Sequence, residues 1–386
     1  MIQYIKPNEA SKILYAELVV IDEAAAIPLP IVKKMMGPWP MFISSTIHGY
    51  EGTGRSLSLK LIQQLKQNSS ITLNSQEIGV KTTKSSYGSR VVKEISMVEP
   101  IRYSNDDPCE KWVYDLLCLH STEADPIKYG LPHPKDCELY LVNKDTLFSY
   151  NKSSERFLKK LMSLFIASHY KNSPNDLQLL SDAPAHSVFI LMDSVKKVEK
   201  GDLPDILCAV QACFEGDISK AKVVETNTCG IKPSGDLIPW TVGEQFLDTE
   251  FPQLNGMRIV RIATHPQAVK MGYGTRSLEL LNKFFDGELL GLETPVSFYD
   301  YANYAADGTT VSNLKEDQGE ENSKLPLTAQ KLAPKKKLKP LLKNLSEISA
   351  PKMHYLGTSY GLTKELFGFW MKSGYKPVYV RQTCND

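Results

Sequence analysis

Apolar positions along this chain keep two rhythms, and the sharpest change between them lies at residues 258–281. Ile259, Val260 and Ile262 form a β-branched run with strand character. Leu278, Leu281 and Phe285 then recur at helical spacing. Between them a loop runs from His265-Pro266 to Met271-Gly272-Tyr273-Gly274-Thr275. Upstream, the apolar run Leu18 to Ile21 predicts a buried parallel strand ending in Asp22-Glu23, and MFISST predicts a second ending in Ser-Ser-Thr. VVKEISMVEPIRYS alternates like a strand, and NDDPCEKWVYDLL opens a helix. From Cys137 the texture changes. CELYLVNKDTLF predicts a hairpin turning at Asn143-Lys144-Asp145, and Phe157, Leu158, Leu161, Leu164, Phe165 and Ala167 mark a helix. SVFILMD, ILCAVQACFEGDI and GDLIPWTV predict three further strands. Near the end come a strand, a helix with Phe367, Trp370 and Met371 on its apolar face, a stop at Gly374, and a closing strand PVYVR.

Two stretches keep neither rhythm. Residues 67–90 are polar and Ser/Thr-rich and predict a mobile loop. Residues 292–351 carry charge blocks of both signs and predict a largely disordered insertion. Lys335, Lys336, Lys337 and Lys339 within it fit either a solvated loop or contacts to an RNA backbone.

Length and composition narrow the picture. The 386 residues are enough for two domains, and 42% hydrophobic with 23% charged residues is ordinary for a globular chain. A net charge of +1 gives no global pull toward nucleic acid or membrane. The seven cysteines are scattered, without a C-x-x-C pair, which suits a reducing compartment and argues against a disulfide framework or a structural zinc site. No apolar run reaches the ~18 residues of a membrane span.

The chemistry gathers at the two strand ends. Glycines entering a helix let backbone N–H groups approach a phosphate, and the helix dipole favours negative charge there. Gly272-x-Gly274 is too far from the strand for a dinucleotide fingerprint, which wants Gly-x-Gly-x-x-Gly and an acidic residue about 20 positions on. Its spacing is similar to the acyl-CoA loop of the GNAT acetyltransferases, Gln/Arg-x-x-Gly-x-Gly/Ala. An ordinary strand–helix turn is the alternative. Asp22-Glu23 after an apolar strand has the form of a Walker B site, one carboxylate for Mg²⁺ and one for the attacking water; an acidic strand end facing solvent is the alternative. Gly49, Gly52, Gly54 and Arg55 after the second strand fit a nucleotide-sensing loop or a flexible turn. Arg102 fits a phosphate-contacting arginine or a surface ion pair. No G-x-x-x-x-G-K-[ST] phosphate loop occurs, so an ATPase here is expected to be truncated at its N-terminus.

Taken together, DEAAAIPLP, STIHGYEGTGRSLSLKLIQQL, HYKNSPNDLQLLSDAPAH, SGDLIPWTV, RIATHP with MGYGTRSL, and YLGTSYGL…FW…GYKPVYVRQT resemble the RNA cytidine acetyltransferases, the eukaryotic branch most. The resemblance implies an α/β chain in two parts: residues 1–125 the later part of a RecA-like helicase/ATPase domain, residues 137–386 a GNAT domain. It implies acetyl-CoA and ATP with Mg²⁺ as cofactors, rRNA and tRNA cytidines acetylated at N4, and a nuclear, nucleolar setting. A tRNA-binding adaptor, a homodimer and no membrane association go with it. By motif, Asp22 and Glu23 would hold Mg²⁺ and activate water, and Arg102 would contact ATP. Ile262, Ala263 and Thr264 would present backbone groups to the thioester, and Val269, Lys270, Met271, Gly272, Tyr273, Gly274 and Thr275 would wrap the diphosphate. Lys372 sits where the family has a basic residue near the cofactor.

Two departures from that pattern stand in the loop, where Val269 replaces the usual glutamine and Lys270 the glycine after it. His265 is the candidate catalytic base, the right residue type to take a proton from the cytosine amine. A turn-shaping histidine, or one contacting CoA or RNA, is the alternative. The rival functions are a GNAT that acetylates protein lysines and a non-catalytic RNA-binding assembly factor.

Overall fold

Val19–Ile21 (β1) and Met41–Ile43 (β2) pair in parallel, Val19 opposite Met41 and Ile21 opposite Ile43. Leu29–Met35 (α1) forms the crossover between them. Ile13, Val19, Ile21, Ala24, Val32 and Met35 close a small core around this βαβ unit. Pro108–Leu116 (α2) starts at Asp107, whose carboxylate accepts from the amides of Cys109 and Glu110 at 2.7 and 3.3 Å. The computed structural model describes residues 2–13, 15–45, 93, 95–99, 101–119, 121, 124–168, 173–193, 202–230, 233–291, 294–302 and 338–382. The chain divides into two units, residues 1–123 with 169–177, and residues 124–168 with 178–386.

The second unit is built on a six-stranded sheet. In chain order its elements are Glu138–Val142 (β3), Lys144–Leu147 (α3), Lys152–Ser168 (α4), Pro174–Asp182 (α5, which begins in the first unit), His186–Met192 (β4), Cys208–Gly216 (β5), Lys220–Cys229 (α6) and Leu237–Gln245 (α7). Then come Asn255–Thr264 (β6), Tyr273–Phe285 (α8), Val296–Ser297 (β7), Phe298–Ala302 (α9), Leu342–Asn344 (β8), Ile348–Ser349 (β9), Tyr355–Thr358 (β10) and Lys364–Lys372 (α10). The strand order is β10-β6-β5-β4-β3-β8, antiparallel except where β10 runs parallel to β6. Cys208, Val210 and Ala212 of β5 and Met257 and Ile259 of β6 line the face covered by Leu278, Leu281 and Phe284 of α8. Burying each such side chain contributes about 1.5–3 kcal/mol. α4 packs against β5 and β6, with Phe157, Leu161 and Phe165 buried.

Several expectations are corrected here. No hairpin turns at Asn143: its side-chain oxygen caps α3 by accepting the Thr146 amide at 3.0 Å. GDLIPWTV is not a strand; Leu237–Gln245 is helical. PVYVR forms no strand among the described residues, and Val378 and Val380 are exposed. Residues 95–98 alternate without forming a strand, and Ile95, Met97 and Val98 are exposed. The described parts of the expected insertion are ordered: β8 closes the sheet edge beside β3, and Phe298, Tyr301, Leu345 and Ile348 are core residues. Lys339 is folded in as well, its carbonyl accepting from Thr146 Oγ1 at 2.8 Å and its ammonium donating to the Asp300 carbonyl. The glycine loop at 49–55, residues 67–90 and Lys335 to Lys337 lie outside the described residues.

Candidate active site

The register of β6 opens the site. From Gly256 to Ile259 the strand is paired on both sides, with β5 and with β10. At Val260 a bulge shifts the pairing, so Gln211 faces Arg261 while Ala212 faces Ile259. Beyond it β6 continues along β5 to Thr264, but β10 has left. Ile262, Ala263 and Thr264 therefore keep one backbone edge that is not part of the β10 ladder. A parallel pair that separates in this way leaves a slot with backbone donors and acceptors along one wall.

The loop that follows ends at α8. Lys270 (φ 65°) and Gly272 (φ 94°) are both left-handed, which turns the chain sharply onto the helix. Gly272 is the N-cap and brings no side chain to the first-turn amides of Tyr273, Gly274 and Thr275. Such amides have no helical carbonyl before them and carry the positive end of the helix dipole. Gly274 keeps the approach clear: a Cβ there would lie 3.3 Å from Thr264 Oγ1 and 3.6 Å from the Phe369 ring. Val269, Met271, Lys270 and Thr275 are exposed around this cradle, and Lys270 adds a cation to it. An anionic diphosphate over these amides, with a thioester arm along β6, fits the residues present. Lys372 lies in the last turn of α10, one turn beyond Phe369, and is exposed.

His265 is corrected. Its ring is 5% exposed, and both nitrogens are engaged. Nδ1 accepts from the Gln267 amide at 3.2 Å, capping the short turn that follows. Nε2 faces the Asp125 carbonyl at 2.9 Å, so it carries the proton and donates. A general base needs a lone pair aimed at the substrate, and here neither nitrogen offers one. Beneath α8, Cys208 is fully buried and burial pushes its thiol up, so no thiolate nucleophile is held under the cradle.

Residues 124–136, a segment that the sequence pattern passed over, lie beside the loop. Tyr273 is buried and its hydroxyl donates to the Pro132 carbonyl at 2.6 Å. Gln267 accepts the Ile127 amide at 2.9 Å, and Asp205 accepts the amides of Lys128 and Tyr129 at 2.7 and 2.8 Å. The prolines at 126, 132 and 134 were the available signal of an extended segment.

In the first unit, Asp22 and Glu23 stand exposed at the C-terminal end of β1, where a parallel sheet presents its ligands. Asp22 Oδ1 accepts from the Ser44 hydroxyl beyond β2 and from the Glu23 amide at 3.1 Å. Glu23 is itself left-handed, φ 47°. Arg102 is exposed. No cluster of three or more metal-ligating side chains occurs among the described residues.

Residues 160–386 match the family described as GNAT acetyltransferase 2, and residues 1–120 match RNA cytidine acetyltransferase NAT10/TcmA, helicase domain. The RNA cytidine acetyltransferase of Dictyostelium discoideum is 50% identical over 390 residues, all of this chain and 36% of that protein. The Homo sapiens relative of the same name is 50% identical over 387 residues, again all of this chain and 36% of its own length. That of Saccharomyces cerevisiae is 48% identical over 398 residues, covering 37% of it. The chain thus spans little more than a third of the length of these relatives. With residues 160–386 matched by its model, the chain belongs to the GNAT acetyltransferase 2 family, and over its whole length it is similar to the RNA cytidine acetyltransferases.

Proposed function

We propose that this chain carries the acetyl-transfer centre of an RNA cytidine acetyltransferase, moving an acetyl group from acetyl-CoA to the N4 amine of cytidine. The observation that carries the reading is the uncapped first turn of α8 beside the slot where β6 and β10 separate. The amides of Tyr273, Gly274 and Thr275 hold the diphosphate, with Lys270 as a nearby cation and Lys372 of α10 as a second candidate cation. The edge of Ile262, Ala263 and Thr264 beyond the β10 ladder aligns the arm. Bound acetyl-CoA supplies an activated thioester. The cytosine amine is a weak nucleophile, since its lone pair is delocalised into the ring, so the chain's contribution is position and charge. Backbone N–H groups aimed at the developing oxyanion are each worth roughly 10²–10³ in rate in other acyl transfers.

The finer assignments belong to the same proposal for the longer protein: 18S-type rRNA and tRNA as substrates, a tRNA-binding adaptor, a homodimer and a nucleolar setting. ATP with Mg²⁺ would be held by Asp22, Glu23 and Arg102. There hydrolysis would remodel RNA so that a base can be extruded to the site.

The test is direct. Acetyl-CoA titrated into the chain should stabilise it against heat, by an amount that grows with the logarithm of the ligand excess. Labelled acetyl groups should then appear in added RNA as N4-acetylcytidine. Label appearing only in protein lysines, or no acetyl-CoA binding at all, would overturn the proposal.

A further inference from the structure

Residues 125–135 include little regular structure, yet six of their backbone groups are held by side chains from elsewhere. His265 donates to the Asp125 carbonyl, Gln267 accepts the Ile127 amide, and Asp205 accepts those of Lys128 and Tyr129. Tyr273 donates to the Pro132 carbonyl, and Arg276 donates to that of Lys135 at 3.2 Å. Four of the five anchoring residues lie between positions 265 and 276, and they bracket the amide loop: His265 and Gln267 before it, Tyr273 and Arg276 after it.

The loop between the anchors has little to hold it by itself. Val269, Lys270 and Met271 are exposed, and the Met271 amide reaches the Ala268 carbonyl only at 3.4 Å. The segment also runs close to the end of the loop, since a Cβ on Gly272 would stand 3.7 Å from the Pro134 ring. With prolines at 126, 132 and 134, the segment has few conformations of its own to lose and can act as a stiff splint.

We propose that residues 125–135 form a strap that sets the shape of the amide loop, with Tyr273, Gln267 and His265 as positioning residues for acetyl-CoA. This rests on the acetyl-CoA reading of the loop given above. The strap fixes where the α8 amides point, so its anchors govern how tightly the diphosphate is held rather than the transfer step.

The experiment uses the full chain with Tyr273→Phe, Gln267→Leu and the pair. Acetyl-CoA affinity is measured by titration, the KM-against-kcat split by RNA acetylation, and loop order by hydrogen exchange over residues 265–276. Each single change should weaken acetyl-CoA binding about fivefold, the worth of one neutral hydrogen bond, and leave kcat nearly unchanged. Exchange at the loop amides should quicken by a similar factor, and Gln267→Glu, which keeps the acceptor, should restore the slow exchange. Faster exchange without loss of affinity would reduce the strap to a mere cover and overturn the proposal, as would unchanged exchange in the loop. If the unmodified chain binds no acetyl-CoA, the cofactor reading falls and the positioning role falls with it. The exchange data would still decide whether the strap shapes the loop.

Discussion

The imidazole of His265 donates from Nε2 to the backbone carbonyl of Asp125, 140 positions earlier in the chain, at 2.9 Å. That bond, with the Gln267 amide on Nδ1, makes the histidine a latch between β6 and the strap. Replacing His265 with alanine should cost about 2 kcal/mol of stability, two partly buried hydrogen bonds. Acetyl transfer should fall mainly through a higher KM for acetyl-CoA, and the pH–rate profile should keep its shape. A variant whose KM is normal but whose kcat loses its pH dependence would restore the histidine as the base.

Gly274 leaves room for a ligand by lacking a side chain. Gly274→Val would press on Thr264 Oγ1 and on the Phe369 ring and fill the space over the amides. Overpacking of this kind costs about 1–3 kcal/mol. Acetyl-CoA binding, followed by calorimetry, should drop at least tenfold on the order of that energy. Unchanged affinity would mean that the diphosphate lies elsewhere.

Arg258 and Glu215 meet at 2.5 Å on the sheet face away from α8, with the glutamate side chain only 1% exposed. Glu215 also accepts the Ile238 amide at 3.1 Å, tying α7 to the sheet. Arg258→Met should destabilise the unit by about 3 kcal/mol, because it strands a buried carboxylate. Adding Glu215→Gln should recover more than half of that loss in urea melts. If the double variant is no better than the single, the two side chains are not energetically paired.

His186 is held neutral. Burial, and then the charges of Lys144, Arg258 and Arg261, bring it down to about 4. The Gln211 amide donates to Nδ1 at 3.0 Å. In the unfolded chain a histidine titrates near 6.5, so between the two values protons prefer the unfolded state. Stability is therefore full above about pH 6.5 and declines toward pH 4, by roughly 1–2 kcal/mol once partial solvent contact is allowed for. Urea melts at pH 7.5 and pH 5 should show a larger loss for the parent than for His186→Gln. Equal losses would refute the assignment.

The sequence disclosed the cradle because Ile259, Val260 and Ile262 and then Leu278, Leu281 and Phe285 switch period across one loop, and local pattern was enough. It misled where structure depends on distant partners. Leu237–Gln245 is apolar without a clean period, and only packing of Pro239, Trp240 and Gly243 makes it a helix. PVYVR has strand composition but forms no strand among the described residues. His265 looked like a base because its two hydrogen-bond partners are backbone groups, which no residue type announces. The strap was invisible for the same reason: six of its anchors are its own carbonyls and amides, beside the side-chain contacts of Lys128 and Tyr129 with Asp202.

The extra residue at Val260 has a consequence for parity. Before it, odd-numbered residues such as Met257 and Ile259 lie under α8; after it, even-numbered ones such as Ile262 and Thr264 do. Excising this one valine would let the ladder run straight. It would leave Arg261 facing away from α8 and Ile262 under it, as they are now, because the valine is the residue that offsets the count; what β6 would lose is the local bend and extra twist.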